Sequence, residues 1–335
     1  MLERRIFMRY PLEAAIQKYL DPRIPAWGEA EEEIDPPAWA VSDVGCDPAL
    51  PGEGLKRHTM LYIGEGNNRM YLIHDGRVVW TFDAGKGWEY DDIWMLQTGN
   101  ILFSRMYWAA EITPDKRFVW RLDAPEGAEI HTVQPIGPER VLMAVNALPL
   151  PRAWIVNKRT GAIEYDREIP YAPLEHPHGQ FRRFRMTAEG TFLAPCLSMD
   201  RVIEYDRDMK PVWTYSIPGP WAAVRLKNGN TLITGEQQGV TREVNRRGDT
   251  VWEFYLDELP EPWRPDGTQS CVRLDNGNTL ICSRGGGGKT PQLVEIAPDK
   301  QVVWVLKDWK NLGPCTAVQV LTESGAPEEP GACAR

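Results

Sequence analysis

The chain repeats one unit, which is clearest in RLDNGNTLIC (residues 273–282) followed by VEIAPDKQVVW (residues 294–304). Short runs rich in Val, Ile and Thr are typical of β-strands. The Asn-Gly-Asn and Pro-Asp-Lys segments contain residues that tolerate the backbone angles of tight turns. The unit therefore predicts four strands, the last of which ends at Trp304. A sheet this small cannot bury both of its faces alone, so copies must pack on one another.

Copies of the unit recur along most of the chain. VRLKNGNTLIT (residues 224–234) repeats its first half almost letter for letter. Clear copies lie at 94–120, 224–252 and 273–304, weaker copies at 133–165 and 185–213, and a partial copy at 70–80. The aromatic residue that closes a copy falls at Trp80, Trp120, Trp213, Trp252 and Trp304. A period of roughly 40 to 50 residues with four strands in each unit is the signature of a β-propeller, an all-β fold.

We predict six four-stranded blades. Three strands of the first blade fall at 59–64, 70–74 and 78–82, and blades two to six run over about 90–125, 129–171, 178–219, 220–264 and 268–309. The apolar segment 315–321 resembles the first strand of a repeat, which the first blade lacks. It is therefore predicted to complete that blade and close the ring, which removes an exposed sheet edge. Seven blades are the alternative if part of residues 1–57 contains one.

The segments on either side of the predicted propeller, residues 58–321, do not fit the repeat. Residues 1–57 are predicted to form an N-terminal arm, with a short amphipathic helix at 11–20 and irregular chain after it. Residues 322–335 are rich in Gly, Pro and Glu, which predicts a flexible tail that is free or loosely attached.

Composition and charge narrow the class of partner. The formal net charge of −9 argues against nucleic acid and against an anionic membrane surface. No run of roughly 18 apolar residues is present, and the first ten residues lack the apolar core of a secretory signal. Six cysteines are scattered without metal-ligand spacing, which is typical of free thiols in a reducing compartment. We therefore expect a cytoplasmic protein without a transmembrane helix and without a cofactor.

The predicted topology gathers candidate binding residues at one mouth of the central channel. Loops on a rigid scaffold are where binding residues concentrate. Arginine forks bind carboxylate, sulfate or phosphate, and flat aromatic rings suit sugar rings or aryl groups. We expect a pocket for an anionic small molecule, either an acidic saccharide or an aryl compound. The predicted ligand-binding residues are Glu89, Tyr90, Asp92, Arg105, Arg182, Trp221 and Arg284.

Two histidines are the candidate catalytic residues. His178 directly precedes an innermost strand, and His131 takes the same place in the preceding blade. An imidazole at the channel mouth can act as a base or a nucleophile. In this interpretation the histidines form, together with Glu89 or Asp92, either an acid/base pair or a metal site. No spacing rule predicts a metal site.

An alternative interpretation gives the same residues a structural role. The arginines would then pair across the mouth with the carboxylates of Glu89, Asp91, Asp92 and Glu129. The aromatic side chains would pack the loops, and the flat face would hold a protein partner. This alternative predicts a non-catalytic interaction scaffold.

The phrase shared by the clear copies is Asn-Gly-Asn-Thr-Leu-Ile (residues 228–233 and 276–281), together with Glu-Ile-x-Pro-Asp-Lys-x-x-Val-Trp (residues 111–120 and 295–304). Over residues 60–321 it resembles the repeats of quinoprotein-like and arylsulfotransferase-like bacterial propellers. The resemblance implies a propeller fold and, in the arylsulfotransferases, a channel-facing histidine that accepts the sulfuryl group. By position that residue would be His178 or His131, although the His-rich loop of that family is not reproduced. Pyrroloquinoline-quinone dehydrogenases have eight blades, so that cofactor is not predicted.

Overall fold

Short runs of apolar and β-branched residues alternate with turns that contain Gly, Asn or Asp, and each run forms a strand. The computed structural model describes residues 12–24, 50–65, 69–85 and 89–335. In chain order the strands are β1 (Met60–Ile63), β2 (Arg69–His74), β3 (Arg77–Asp83), β4 (Asp92–Met95), β5 (Ile101–Arg105), β6 (Trp108–Ile112), β7 (Phe118–Asp123), β8 (Glu129–Ile136), β9 (Arg140–Asn146), β10 (Arg152–Asn157), β11 (Ile163–Glu168), β12 (Arg185–Met186), β13 (Phe192–Cys196), β14 (Arg201–Tyr205), β15 (Pro211–Ser216), β16 (Pro220–Arg225), β17 (Thr231–Gly235), β18 (Val240–Val244), β19 (Thr250–Tyr255), β20 (Cys271–Arg273), β21 (Thr279–Cys282), β22 (Leu293–Ile296), β23 (Val302–Leu306) and β24 (Ala317–Val320).

These strands form the six four-stranded blades of a β-propeller. Blades two to six contain β4–β7, β8–β11, β12–β15, β16–β19 and β20–β23, and the first blade has the order β24-β1-β2-β3. Strand β24 pairs antiparallel with β1, with Met60 opposite Val320 and Ile63 opposite Ala317. The predictions of six blades and of closure by the C-terminal strand are confirmed. Joining distant parts of the chain in one sheet leaves no unpaired edge at the seam.

The Gly-Asn pair of the turn between the first two strands recurs because its asparagine binds a buried glutamate on the third strand of the same blade. The turn glycine has a positive φ, for example 89° at Gly277, which favours glycine. The next residue donates its side-chain amide to the glutamate: Asn100 to Glu111 at 2.7 Å, Asn230 to Glu243 at 2.7 Å and Asn278 to Glu295 at 2.6 Å. A cation from the following blade, or from the segment leading into it, pairs with the same glutamate: Lys158 with Glu111, Arg273 with Glu243 and Arg57 with Glu295. The repeat therefore ties each of these blades to its neighbour.

The tryptophan that closes a repeat also joins adjacent blades. In four blades its indole N–H donates to a backbone carbonyl: Trp80 to Pro114 at 2.9 Å, Trp213 to Arg246 at 3.0 Å, Trp252 to Pro298 at 3.1 Å and Trp304 to Gly54 at 2.9 Å. The acceptor lies in a turn of the following blade or in the segment that leads into it. The large ring fills the interface while its single donor is satisfied, as buried polar groups require.

A helix, α1 (Leu12–Tyr19), lies where the sequence predicts one. Ala15 and Tyr19 are buried against the first two blades, and the Tyr19 ring meets Trp80 edge to face at 5.3 Å. Residues 1–11 and 25–49 of the predicted arm lie outside the described residues. In the part of the chain that the structure describes, no helix has the length and apolar character needed to cross a membrane.

Residues 322–335 differ from the expected free tail. They lie across the end of the channel opposite the predicted mouth, which we call the closed end. Ser324 N–H donates to Asp275 at 2.7 Å, and Arg273 N–H donates to the carbonyl of Ala334 at 3.0 Å. Gaps of about 40 and 20 Å³ remain beside the segment, which is room for a water molecule and little more. Composition could not predict this placement, because the contacts are with residues far away in the chain.

Candidate functional site at the channel mouth

Four side chains meet at the mouth of the channel where the innermost strands begin. Glu129 and His131 lie at the start of β8, and Glu89 lies just before β4. His178 lies in a single 3-10 turn, Pro177–Gly179, ahead of β12. The propeller brings these segments together because each leads into an innermost strand. We call Glu89, Glu129, His131 and His178 the imidazole–carboxylate centre.

Glu129 holds both imidazoles. Its Oε2 accepts from Nε2 of His131 at 2.7 Å and from Nδ1 of His178 at 3.0 Å. The two rings meet edge to face with their centroids 5.2 Å apart. Burial would raise the pKa of Glu129, but the hydrogen bonds from the two histidines outweigh it and lower the pKa to about 2. Glu129 is therefore an anion that fixes which nitrogen of each ring points away from it.

His131 is wholly buried, whereas the His178 side chain is 45% exposed. Nδ1 of His131 lies 3.1 Å from Asp91 Oδ2 and 3.4 Å from Glu89 Oε1, but neither approach is aligned for a hydrogen bond. Burial would lower the pKa of His131, yet the nearby Asp91 and Glu129 carboxylates raise it to about 9. Of the two rings, His178 is the one that a ligand can reach.

Carboxylates crowd the mouth beside the histidines. Oxygens of Glu65, Glu89 and Asp91 lie within 4.8 Å of one another. Burial and then the neighbouring charges of Asp91 and Glu65 raise the pKa of Glu89 to about 8. The pKa of Glu65 is also raised, first by burial and then by Asp91. At pH 7 Glu89 is therefore mostly protonated, and a cation that binds here displaces its proton.

Several buried polar atoms at the mouth lack a hydrogen-bond partner. Among the described residues there, these atoms include Glu89 Oε1, Asp91 Oδ1 and Oδ2, His131 Nδ1, Arg182 Nε, Trp221 Nε1 and Gln269 Oε1. Leaving a buried polar group unsatisfied costs about 1–3 kcal/mol. Native proteins hold few such groups, and a cluster of them indicates a site for a bound group.

The predicted arginines at the mouth are already engaged. Arg284 donates to Glu236 at 2.8 Å and to Glu65 at 3.4 Å. Arg182 donates to the carbonyl of His178, and its guanidinium lies over the Trp221 ring at 5.2 Å. Arg284 thus pairs with carboxylates across the mouth, as the structural alternative expects of the arginines, but its partners are Glu65 and Glu236 rather than the carboxylates that the alternative names.

Arg105 and Tyr90, two of the predicted ligand-binding residues, pack on each other. The Arg105 guanidinium lies 4.9 Å from the Tyr90 ring centroid and donates to the carbonyl of Gly85 at 2.6 Å. Both side chains are buried, and Tyr90 packs on Phe103 in the core of the second blade. Their contacts are with the blade wall rather than with the histidines.

Asp92 and Asp91 have different neighbours: Asp91 lies beside His131 and Glu89, whereas Asp92 lies among arginines. It pairs with Arg183 and Arg185, each at 2.7 Å, and lies 3.5 Å from Arg335 of the segment that covers the closed end. Burial would raise the pKa of Asp92, but these guanidinium groups lower it. We call Asp92, Arg183, Arg185 and Arg335 the arginine cluster. The predicted acid/base pair between Asp92 and a histidine is therefore wrong, since guanidinium groups occupy both oxygens of this carboxylate.

Glu65 is a mouth residue that the sequence did not point to. Its copy of the repeat is partial, so its position was hard to align. Other blades carry the signal that could have identified it. There, a charged residue ends or follows the second strand, namely Arg105, Glu236 or Arg284. Glu65 takes the equivalent place after β1 and accepts from Gln269 at 3.1 Å.

The comparisons with known proteins bear on the fold. No protein-family model and no curated protein match the chain. Among solved structures, the chain is similar to a protein of unknown function from Bacteroides caccae, with 27% identity and a TM-score of 0.70 over 77% of this chain and 97% of that chain. The chain shares its fold with the β-propellers.

Two further propellers are similar at lower identity. One is virginiamycin B lyase from Staphylococcus aureus, with 10% identity and a TM-score of 0.53 over 78% of this chain and 89% of that chain. The other is the WD40 propeller domain of Doa1, with 13% identity and a TM-score of 0.51 over 75% of this chain and 76% of that chain. At these identities the likeness shows the fold alone. The finer resemblance to quinoprotein-like and arylsulfotransferase-like propellers has no support from these comparisons.

Proposed function

We propose that the channel mouth binds and chemically transforms a small, neutral molecule rich in hydroxyl groups, of the saccharide class. The observation that carries the proposal is the set of buried polar atoms without partners, most of which are acceptors: both oxygens of Asp91, Glu89 Oε1 and Gln269 Oε1. Hydroxyl groups of a ligand are donors that satisfy such acceptors. A ligand of this kind would give these atoms hydrogen-bond partners.

An anionic ligand, the expectation from the sequence, fits this mouth less well. The arginine of the sixth blade, Arg284, already pairs with Glu65 and Glu236. The anionic Glu129 and the neighbouring Asp91 would repel an anion, whereas Glu89, whose pKa is raised to about 8, is mostly protonated at pH 7. A neutral, hydroxyl-rich molecule avoids this repulsion. The ligand class is therefore still a saccharide, as the sequence predicts, but an uncharged one.

The chemistry is assigned to the imidazole–carboxylate centre. Glu129 orients the exposed His178 ring by binding its Nδ1, so that Nε2 is left towards Glu89 at 4.0 Å. A proton can pass between such a centre and a ligand hydroxyl. Buried His131 donates to the same Glu129 oxygen and so helps to hold that carboxylate in place.

The test is a thermal-shift screen of the full chain, followed by calorimetry, with neutral saccharides, acidic saccharides and sulfated phenols. We expect neutral saccharides to raise the melting temperature of the wild-type protein. His178→Ala and Glu89→Gln should each weaken binding at least about tenfold, because each removes polar contacts at the mouth. His176→Ala is the matched control, since His176 is an exposed histidine of the same loop. Binding that survives both mouth substitutions would place the ligand elsewhere and contradict the proposal.

The second candidate is the non-catalytic interaction scaffold. The ion pairs of Arg284 with Glu65 and Glu236 favour it, because they link loops of three blades across the mouth. It predicts that no member of the panel shifts the melting temperature.

The arylsulfotransferase resemblance implies group transfer through a histidine. The sulfated phenols in the same panel test this possibility. It predicts turnover of aryl sulfates by the wild-type protein. Turnover that survives both His178→Ala and His131→Ala would exclude this route.

A further inference from the structure

Three potential metal ligands converge at the mouth from three separate segments. They are one ring nitrogen each of His131 and His178 and a carboxylate oxygen of Glu89, and these atoms lie within 4.8 Å of one another. The Glu89 oxygen is 3.4 Å from the His131 nitrogen and 4.0 Å from the His178 nitrogen. Ligand atoms bound tetrahedrally at about 2.1 Å from Zn²⁺ are about 3.4 Å apart. A shift of the half-exposed His178 ring closes the remaining distance.

The second ring nitrogens are oriented as in known metal centres. Glu129 Oε2 accepts from Nε2 of His131 at 2.7 Å and from Nδ1 of His178 at 3.0 Å. Metal-binding histidines almost always donate their other N–H to a carboxylate or a carbonyl, which fixes the tautomer and the ring orientation. Here one carboxylate serves both rings and directs their remaining nitrogens to the same side as Glu89.

The centre also contains buried atoms without partners, which is an observation independent of the spacing. His131 is wholly buried, and its Nδ1 has no hydrogen-bond partner. The same is true of Oε1 of Glu89, with which that nitrogen is in contact. Both atoms can bind a cation, which displaces the protons that these two side chains carry.

We infer that His131, His178 and Glu89 bind a divalent first-row transition metal such as Zn²⁺. Two imidazoles and one carboxylate are the ligand set of several catalytic zinc sites, which keep a further position open for water or substrate. The open position would face the mouth on the side of His178, whose side chain is 45% exposed. This inference rests on the proposed function, because the metal would lie where the ligand enters.

A second group of oxygens, from Glu65, Glu89 and Asp91, offers a site for a hard cation such as Mg²⁺ or Ca²⁺. Glu65 is already engaged by Gln269 at 3.1 Å and by Arg284 at 3.4 Å. Imidazole ligands instead suit zinc, copper, nickel and iron. The structure therefore favours the transition-metal site, and a preference for Mg²⁺ or Ca²⁺ would contradict it.

The test is calorimetric titration of the full chain, freed of metal with a chelator, with ZnCl₂, MgCl₂ and CaCl₂ in separate experiments. We expect one Zn²⁺ per chain, with no comparable binding of Mg²⁺ or Ca²⁺. His178→Ala and Glu89→Gln should each weaken Zn²⁺ binding at least about 100-fold, and Glu129→Gln about 10- to 100-fold. His176→Ala, which changes the exposed histidine two residues from His178, should leave the affinity unchanged.

Two further readouts keep the outcome clear. Far-UV circular dichroism of each metal-free variant checks that it is folded, and Co²⁺ should give the visible spectrum of a four-coordinate site without thiolate bands. Absence of Zn²⁺ binding, or binding that His178→Ala and Glu89→Gln leave intact, would overturn the inference. Saccharide binding that persists after chelation, without any Zn²⁺ binding, overturns the metal site alone and leaves the proposed function standing.

Discussion

Two neighbouring carboxylates, Asp91 at the mouth and Asp92 in the arginine cluster, face opposite environments. Asp91 is buried beside other carboxylates, and neither of its oxygens has a hydrogen-bond partner. Asp92 is buried against Arg183 and Arg185 at 2.7 Å and near Arg335 at 3.5 Å. The difference indicates that Asp92 is held by opposite charges whereas both oxygens of Asp91 can still accept from a ligand, although two nitrogens of Arg183 also lack an aligned hydrogen bond.

The largest effect should come from Asp92→Asn. The substitution removes the anion that three guanidinium groups share, and leaves their charges buried together. Breaking a buried ion pair in this way costs about 3–5 kcal/mol of the free energy of unfolding. Urea unfolding followed by circular dichroism measures it.

Asp91→Asn is the matched control for that substitution, one residue away. It removes a carboxylate that faces one buried cation, His131 at 3.1 Å, as well as other carboxylates, so we expect less than half of the loss seen with Asp92→Asn. Equal losses for the two variants would show that the mouth and the arginine cluster do not differ in the way described.

A third buried carboxylate, Glu295, lies at an interface between blades. Like Asp92, it is paired with cationic side chains. Burial would raise its pKa, but hydrogen bonds from His58, Arg57 and Asn278 lower it from 4.5 to about 2. As the pH falls below about 4.5, the unfolded chain takes up this proton before the folded chain does. The stability that Glu295 contributes is therefore present above that pH and is lost as the pH approaches 2.

Unfolding of the wild-type protein and of Glu295→Gln at a series of acid pH values tests this point. The variant should lack that part of the acid dependence, on the order of 1 kcal/mol once solvent screening is allowed for. Parallel curves for the two proteins would show that Glu295 is not held as an anion by its neighbours.

The smallest effect is expected for Arg335→Ala. The variant loses the contact of the guanidinium with Trp94, at 4.1 Å, and its bond to the carbonyl of Ile93. It also relieves repulsion from Arg183 and Arg185, so the net change in the free energy of unfolding should stay below about 1 kcal/mol. A loss as large as that of Asp92→Asn would mean that the segment 322–335 carries the stability of the closed end.

The sequence was informative about the fold because the repeat has a local physical basis. The Asn-Gly-Asn turn, the third-strand glutamate and the closing tryptophan are close enough in sequence to be recognised as one unit. Closure by residues 315–321 followed from a missing strand in the first blade, and the structure has that strand at Ala317–Val320. The placement of 322–335 could not be predicted, since it depends on contacts with Asp92 and Trp94.

The site was predictable in part. Topology placed His131, His178 and Glu89 at one mouth, and the structure brings these three side chains together. It could not show that Glu129 bridges both rings, nor that Asp91 rather than Asp92 joins them, because that depends on which way each side chain points. The proposed metal site is hard to recognise in the sequence for a related reason. Its three ligands come from separate segments, so they form no motif with a fixed spacing.

The most direct test of the contrast between mouth and closed end is a crystal structure of the full chain soaked in ZnCl₂, with anomalous data collected at the zinc edge. We predict one peak about 2.0–2.2 Å from His131 Nδ1, His178 Nε2 and an oxygen of Glu89. No peak should lie beside Asp92, where three guanidinium groups exclude a cation. A mouth without a peak, in which these polar atoms hydrogen-bond to one another, would contradict the account.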